Sequence, residues 1–280
     1  MLEMQKATPY TLTFFNRLKV PLVTMSSAPH PSFEAPRPAP ALPFERCVPS
    51  EIFSTIGLTA DEFERVQKLI LLRRPVKKDQ TLFQGGQKFI EVFAVRYGSF
   101  RSGLLSLGGD LRVTAFHLPG DIMGFDGIAT HHHVCEAQAL EDSEVCAMPF
   151  EQVATLSREL RPVQRLFLQM MSKELVRDNA VLVMLGSLNA DERVAAFLLN
   201  LLDRMKARGF SASELQLPMG RHDIASFLGL KNETVSRAFA SLHERGLVKL
   251  KHRSVAVLHP DALARLAQVA RAKAPVHSLA

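Results

Sequence analysis

The spacing of apolar positions changes twice along the chain and divides it into segments. Between Leu71 and Phe150 the apolar residues fall in short β-rich pieces: Arg73–Lys78, Thr81–Phe83, Glu91–Val95, Phe100–Ser106, Arg112–Phe116 and Val145–Phe150. Gly85-Gly86, Gly98, Gly108-Gly109 and Gly120 punctuate them. Closely spaced strands with such turns predict an antiparallel barrel or jelly roll. A helical period then begins near Phe150, and no Gly or Pro interrupts it from Val163 to Leu185, a length of roughly 35 Å. Leu168, Met171, Leu175, Asp178, Leu182 and Leu185 alternate spacings of three and four, the pattern of a coiled-coil seam. Val163, Leu166, Phe167, Met170 and Val183 form a second apolar set, expected to lie against the chain's own barrel. A core helix buried on both sides is the competing reading, but a dimer seam accounts better for the heptad.

After this helix, Asn189 and Glu192 resemble a capping box opening a helix over Asp191–Arg208, which Gly209 closes. An alternating run, Glu214–Met219, leads into two short helices. A hairpin pairing Leu247–Lys251 with Ser254–Leu258 and a last helix after Pro260 complete the pattern. Before the strands, Ser26–Pro43 carries proline every few residues and almost no charge, so residues 1–44 are expected to form a poorly ordered extension. The predicted fold class is α+β. Its expected segments are a sensor barrel domain over 45–162, a dimerisation helix over 163–188 and a winged helix-turn-helix over 189–280.

The two short helices contain the most informative chemistry. Ile224, Ala225 and Leu228 give one apolar face, Gly229 breaks the helix, and Val235, Phe239 and Leu242 give a second face. A tight Gly turn between two such helices predicts a helix-turn-helix, whose second helix enters the DNA major groove. Core packing explains the apolar positions but not Asn232, Glu233, Ser236 and Arg237, which crowd the second helix's N-terminus and outer face. Arg237 can donate twice to guanine, Glu233 can accept from a cytosine amino group, and Ser236 is short enough to admit a thymine methyl. Lys231, Thr234, Arg221 and His222 are better placed for phosphates, with Lys249, Lys251, His252 and Arg253 forming a basic wing. The bland alternative is an exposed polar helix with a Glu233–Arg237 pair worth a few tenths of a kcal/mol.

Charge supports the DNA reading. Lys and Arg number 34 and Asp and Glu 28 over the 280 residues, and the whole excess lies from Ser187 onward, where 14 basic residues face 8 acidic ones. Such a concentration suits phosphate binding. The oiliest stretch, Val194–Met205, is cut by Asn200, Asp203 and Arg204, so no membrane span is expected. Three scattered cysteines, Cys47, Cys135 and Cys146, are too few for a secreted disulfide framework, and a cytoplasmic location is expected. No Ser/His/Asp arrangement, paired carboxylates or phosphate-cradling Gly loop points to an enzyme.

Barrel, long helix and winged helix-turn-helix in this order resemble the superfamily of the cyclic-AMP receptor protein and the anaerobic regulator FNR, over about residues 46–268. Phe116-His-Leu-Pro-Gly-Asp-Ile-Met-Gly-Phe-Asp, Ala137-Gln-Ala-Leu-Glu, Val145-Cys-Ala-Met-Pro-Phe, Asn189-Ala-Asp-Glu-Arg-Val-Ala-Ala-Phe and Glu233-Thr-Val-Ser-Arg are similar to the FNR branch. The resemblance implies a cyclic-nucleotide-binding-like jelly roll, a homodimer on double-stranded DNA, contact with RNA polymerase, and an inverted-repeat target of the type TTGAT-N4-ATCAA read by Glu233, Ser236 and Arg237. It also implies a redox or small-molecule signal; the alternatives are a small-molecule-binding module whose barrel ligand controls the dimer helix, or a constitutive regulator without a cofactor.

The resemblance leaves the cofactor unknown. The nucleotide branch's Gly-Glu-Leu stretch is here Gly124-Phe-Asp-Gly, and Cys135-Glu136 replaces its Arg and hydroxyl pair, so cyclic-nucleotide binding is not expected. FNR holds its [4Fe-4S] cluster on three N-terminal cysteines and one barrel cysteine. Cys146 matches the barrel ligand and Cys47 the last N-terminal one, while the first two are absent. That leaves two readings of Cys47 and Cys146: a reversible disulfide acting as a redox switch, or two buried thiols. His131-His132-His133 points in alternate directions and is expected to be structural or solvent-facing rather than metal-binding, and His117 is expected in the core.

Overall fold

The computed structural model describes residues 57–268, apart from 71, 107 and 210–212. The expected extension, 1–44, and Cys47 lie outside the described residues. Helix α1 (Ala60–Ile70) precedes β1 (Arg73–Val76), β2 (Thr81–Phe83), β3 (Glu91–Tyr97), β4 (Phe100–Leu105), β5 (Leu111–His117), β6 (Ile122–Met123), β7 (Glu136–Ala139) and β8 (Ser143–Pro149). These strands pair antiparallel in two sheets, ordered β1-β8-β3-β6 and β2-β7-β4-β5, which is the expected jelly roll.

The alternation of side chains sorts residues between two cores. Phe93, Val95, Val145 and Ala147 point between the sheets with Phe83, Phe100 and Met123. Their neighbours Val92, Ala94, Cys146 and Met148 point outward, against Val66, α2 (Phe150–Glu159) and the start of α3 (Arg161–Ser187). Both faces of β3 and β8 are thus covered, which is why these strands read as unbroken apolar runs. Sequence patterning did not mark β7, because Glu136-Ala-Gln-Ala is poor in β-branched and aromatic residues. Pairing with β2 and β4 holds it instead.

The long helix α3 matches its expected length, with one correction. Val163, Leu166 and Phe167 are buried against the barrel and Met170 is half-buried there, but Val183 is 65% exposed. The barrel covers only the first turns of α3. Further along, Val181, Met184, Leu185 and Leu188 turn toward the C-terminal domain's core, which leaves Val183 outside.

The C-terminal domain comprises α4 (Ala190–Lys206), β9 (Glu214–Gln216), α5 (Arg221–Leu228), α6 (Asn232–Glu244), β10 (Val248–Lys251), β11 (Ser254–Val257) and α7 (Pro260–Leu266). The capping box opens α4: Glu192 N donates to Asn189 Oδ1 at 3.1 Å and Asn189 N donates to Glu192 Oε2 at 2.9 Å. Its core is continuous with the outer face of β5 through Val113 and Phe116. Phe116, Phe197 of α4 and Phe227 of α5 form an aromatic triad with centroids 5.3 to 5.9 Å apart.

His117 sits in this junction, buried, with Nε2 2.8 Å from Ser102 Oγ. Burial, only partly offset by the Asp121 carboxylate, drives its imidazole down to about 4. An unfolded chain protonates this histidine near 6.5, so the stability it contributes is complete at pH 7 and is lost as pH falls from about 6.5 to about 4. The loss amounts to about 3 kcal/mol. His117→Phe is therefore expected to flatten the stability profile by that amount, measured by urea unfolding from pH 7 to pH 4. Parallel profiles for the two proteins would refute the assignment.

Candidate nucleic-acid interface

Helices α5 and α6 pack through Ile224, Ala225, Leu228, Val235, Ala238, Phe239 and Leu242, all buried. Gly229, at φ 61°, closes α5 in the left-handed conformation and lets the chain turn into α6 within three residues. This is the expected helix-turn-helix. Its hydrophobic seam fixes which residues remain outside: Lys231, Asn232, Glu233, Ser236 and Arg237 are exposed, and Thr234 is half-buried. Ser236 Oγ donates back to Asn232 O at 3.0 Å, which holds the hydroxyl close to the helix. Glu233 and Arg237 form no ion pair among the described residues, so the bland reading of a paired polar helix lacks its contact. The basic wing is the β10–β11 hairpin, whose Lys249, Lys251, His252 and Arg253 are all exposed.

Arg221 is placed differently from the other expected contacts. Its guanidinium lies over the Phe239 ring, 3.4 Å from the centroid, and clamps α5 to α6. Burial lowers its pKa, though an arginine remains charged. His222 is exposed beside it.

Sequence reasoning missed the residues that tie this unit to the rest of the chain. Arg193 donates to Leu185 O at 2.7 Å, Leu188 O at 2.9 Å and Leu228 O at 2.9 Å, joining the ends of α3 and α5. Arg101 of β4 pairs with Asp223 of α5, and Ser226 Oγ accepts from Val113 N at 3.0 Å. Ser241 Oγ on α6 donates to Asp191 Oδ2 of α4 at 2.7 Å. The seam expected on α3 is only partly covered by the chain itself: Leu168, Leu175 and Leu182 are 57 to 66% exposed, while Met171 and Leu185 are half-buried.

Residues 192–266 match the Crp-like helix-turn-helix domain, and residues 73–159 match the cyclic nucleotide-binding domain. The transcriptional activator protein FnrA of Stutzerimonas stutzeri is 38% identical over 221 residues, covering 79% of this chain and 91% of its own. The chain belongs to the CRP/FNR superfamily of transcription regulators. The fumarate and nitrate reduction regulatory protein of Escherichia coli is similarly 37% identical over 227 residues, covering 81% of this chain and 91% of its own. Among solved structures, FixK2 from Bradyrhizobium japonicum superposes with a TM-score of 0.65 at 31% identity, covering 72% of this chain and 98% of that one. The regulator is thus of the DNA-binding CRP/FNR type, with the helix-turn-helix of α5 and α6 as its DNA-binding element.

Neither a cyclic nucleotide nor a four-thiolate cluster fits the residues present. Asp126 Oδ2 accepts from Val134 N at 2.7 Å and Cys135 N at 2.8 Å, and Asp126 Oδ1 lies 3.3 Å from His133 Nδ1. These two amides are therefore already bound by a carboxylate, and the half-buried Glu136 beside them adds a second negative charge that opposes a cyclic phosphate. A four-thiolate iron–sulfur cluster needs more cysteines than the three in one chain. Burial and the neighbouring Asp126 push the Cys135 thiol up to about 11, which keeps it protonated. Cys146 is fully buried on the outward face of β8, so one member of the expected Cys47–Cys146 switch lies in the core. His133 is also structural: it is buried and stacked on Phe83 at 4.0 Å, while His131 and His132 are exposed. Among the described residues no group of three His, Cys, Asp or Glu is placed to hold a metal ion, and no helix is long and apolar enough to cross a membrane.

Proposed function

We propose that the regulator binds an inverted repeat of the TTGAT-N4-ATCAA type as a homodimer and activates transcription there by contacting RNA polymerase. One observation carries this reading. The outer face of α6 presents Glu233, Ser236 and Arg237 in the open, above a core that accounts for every inward residue of the helix. Among the described residues these side chains bond to no other element, Ser236 donating only back to Asn232 O within α6, and their donor and acceptor pattern suits base edges in a major groove. The exposed leucines of α3 supply the dimer face, and two-fold symmetry in the protein calls for two-fold symmetry in the site. Activation follows the FnrA relative, a named transcriptional activator.

A fluorescence anisotropy titration at fixed salt tests this reading, using one duplex with the repeat and one with both halves scrambled. Binding to the repeat is expected to be at least about 1,000-fold tighter. Equal affinity for the two duplexes would leave only the sequence-independent phosphate term and overturn the proposal.

A further inference from the structure

The junction of barrel, α3 and α4 is built around one buried carboxylate. Asp121 is 7% exposed and sits in the turn after β5, held there by Leu118 N donating to its Oδ2 at 2.8 Å. Three arginines converge on it. Arg204 Nη2 of α4 reaches Oδ2 at 2.5 Å, Arg208 Nη2 reaches Oδ1 at 2.6 Å, and Arg177 Nη2 of α3 lies 3.5 Å from Oδ1. The arginines are anchored further to their surroundings. Arg204 Nη2 also donates to Phe116 O at 2.7 Å, Arg208 Nε donates to Pro119 O, and Arg177 Nη1 bonds Glu174 Oε2 at 2.8 Å. Although burial opposes its ionisation, the three guanidiniums and the Leu118 amide hold the Asp121 carboxyl down at about 2.

The positions of these contacts give the cluster a mechanical role. Helices α3 and α4 are joined only by Leu188 and Asn189. Arg193 fixes α4 at this elbow, and Arg204 lies eleven residues beyond it, about 17 Å along the helix axis. The Phe116–Phe197 contact and the Arg101–Asp223 pair also bridge the barrel and the C-terminal domain; the Asp121 cluster adds the tie at the far end of α4, and a helix pinned at both ends carries α5 and α6 at one angle to α3. We propose that Asp121 is a positioning residue for DNA recognition, setting through Arg177, Arg204 and Arg208 the angle of the DNA-reading domain against the dimer helix. That angle sets the separation of the two α6 helices in a dimer, which must match half-sites about one DNA turn apart. Removing the carboxylate leaves three guanidiniums with only the Glu174 carboxylate among them, an excess of positive charge that loosens the junction.

This inference rests on the proposed dimeric reading of an inverted repeat, and its test has one arm that does not. Asp121→Asn removes the hub. Arg208→Met is the milder variant, severing one arm while keeping its apolar stem, and it serves should the first fail to fold. Thermal unfolding identifies the folded variants. Titrations then compare three duplexes: the repeat with a four-base spacer, the repeat with a six-base spacer, and a single half-site. The wild type is expected to prefer the four-base spacer by at least about 100-fold, and Asp121→Asn by under about tenfold, while half-site affinity stays within about twofold. Arg208→Met is expected to fall between them. Unchanged spacer preference in the folded variants overturns the inference, as does a half-site affinity that falls in step with the full repeat. In free protein, hydrogen exchange at Val113 N, which donates to Ser226 across the junction, is expected to speed up at least about tenfold in the variants. Equal exchange also overturns it. A wild type that binds no inverted repeat defeats the functional reading instead, and the exchange measurement still decides the role of Asp121.

Discussion

Arg237→Ala is expected to weaken binding to the inverted repeat between about 30-fold and about 20,000-fold without changing folding or dimerisation. A lost bidentate contact to guanine costs about 1 to 3 kcal/mol, and a two-fold symmetric complex loses it twice. The side chain is exposed on α6, beyond the seam that holds α5 and α6 together. It makes no ion pair with Glu233, so its removal breaks no ion pair among the described residues. Two signatures separate this loss from a general weakening. Affinity for scrambled DNA should fall only slightly, and the variant should discriminate least at the base pair that Arg237 reads. Replacing Lys231 has the opposite signature, a uniform loss across sequences and a shallower salt dependence. An unchanged titration of Arg237→Ala against the repeat would remove this residue from the reading set.

Asp178→Ala is expected to strengthen the dimer by about tenfold or more and to raise DNA binding in the absence of any signal. Asp178 lies between Leu175 and Leu182 in the seam of α3, and partial burial raises its carboxyl even in the single chain, against the pull of Arg177. In a dimer its two copies approach the axis, where at least one must be desolvated or protonated. The exposed leucines on either side each gain about 1.5 to 3 kcal/mol when buried, so the carboxylate opposes an otherwise favourable association. A raised pKa in the dimer gives the pH dependence its sign. The wild-type dimer should tighten as pH falls and weaken as pH rises through that raised value, while the variant should be flat. Sedimentation equilibrium at pH 7.5 and pH 5 measures both effects. The same monomer–dimer equilibrium for the two proteins would place the seam elsewhere on the helix.

Local patterns in the sequence revealed much of this architecture, and contacts between distant segments escaped it. The α5–α6 unit was legible because its determinants lie within twenty residues: two apolar faces, Gly229 at the turn, and polar residues that packing does not use. The capping box at Asn189 and Glu192 was readable for the same reason. Asp121 lay in plain view within the Phe116–Asp126 motif, yet nothing local marks its partners, which are 56, 83 and 87 residues away. Arg193 likewise stands inside the Asn189–Phe197 motif, yet nothing local marks its role, because its acceptors are backbone carbonyls that carry no sequence signal. Val183 departs from its expected place because helical period gives a face but not what covers it, and the covering element changes from barrel to C-terminal domain along α3. Arg221 reads from the sequence as a phosphate contact, and periodicity does not show that its guanidinium lies on a ring eighteen residues on.

Mapping every chromosomal site bound by the full-length regulator in its own cells tests the central claim most directly, since it presumes no target. The account predicts that the bound segments share an inverted repeat of two TTGAT-like halves separated by four base pairs, that they lie upstream of transcription starts, and that they vanish from the map of Arg237→Ala. Bound segments lacking any two-fold symmetric motif, or a map unaltered by Arg237→Ala, would contradict it.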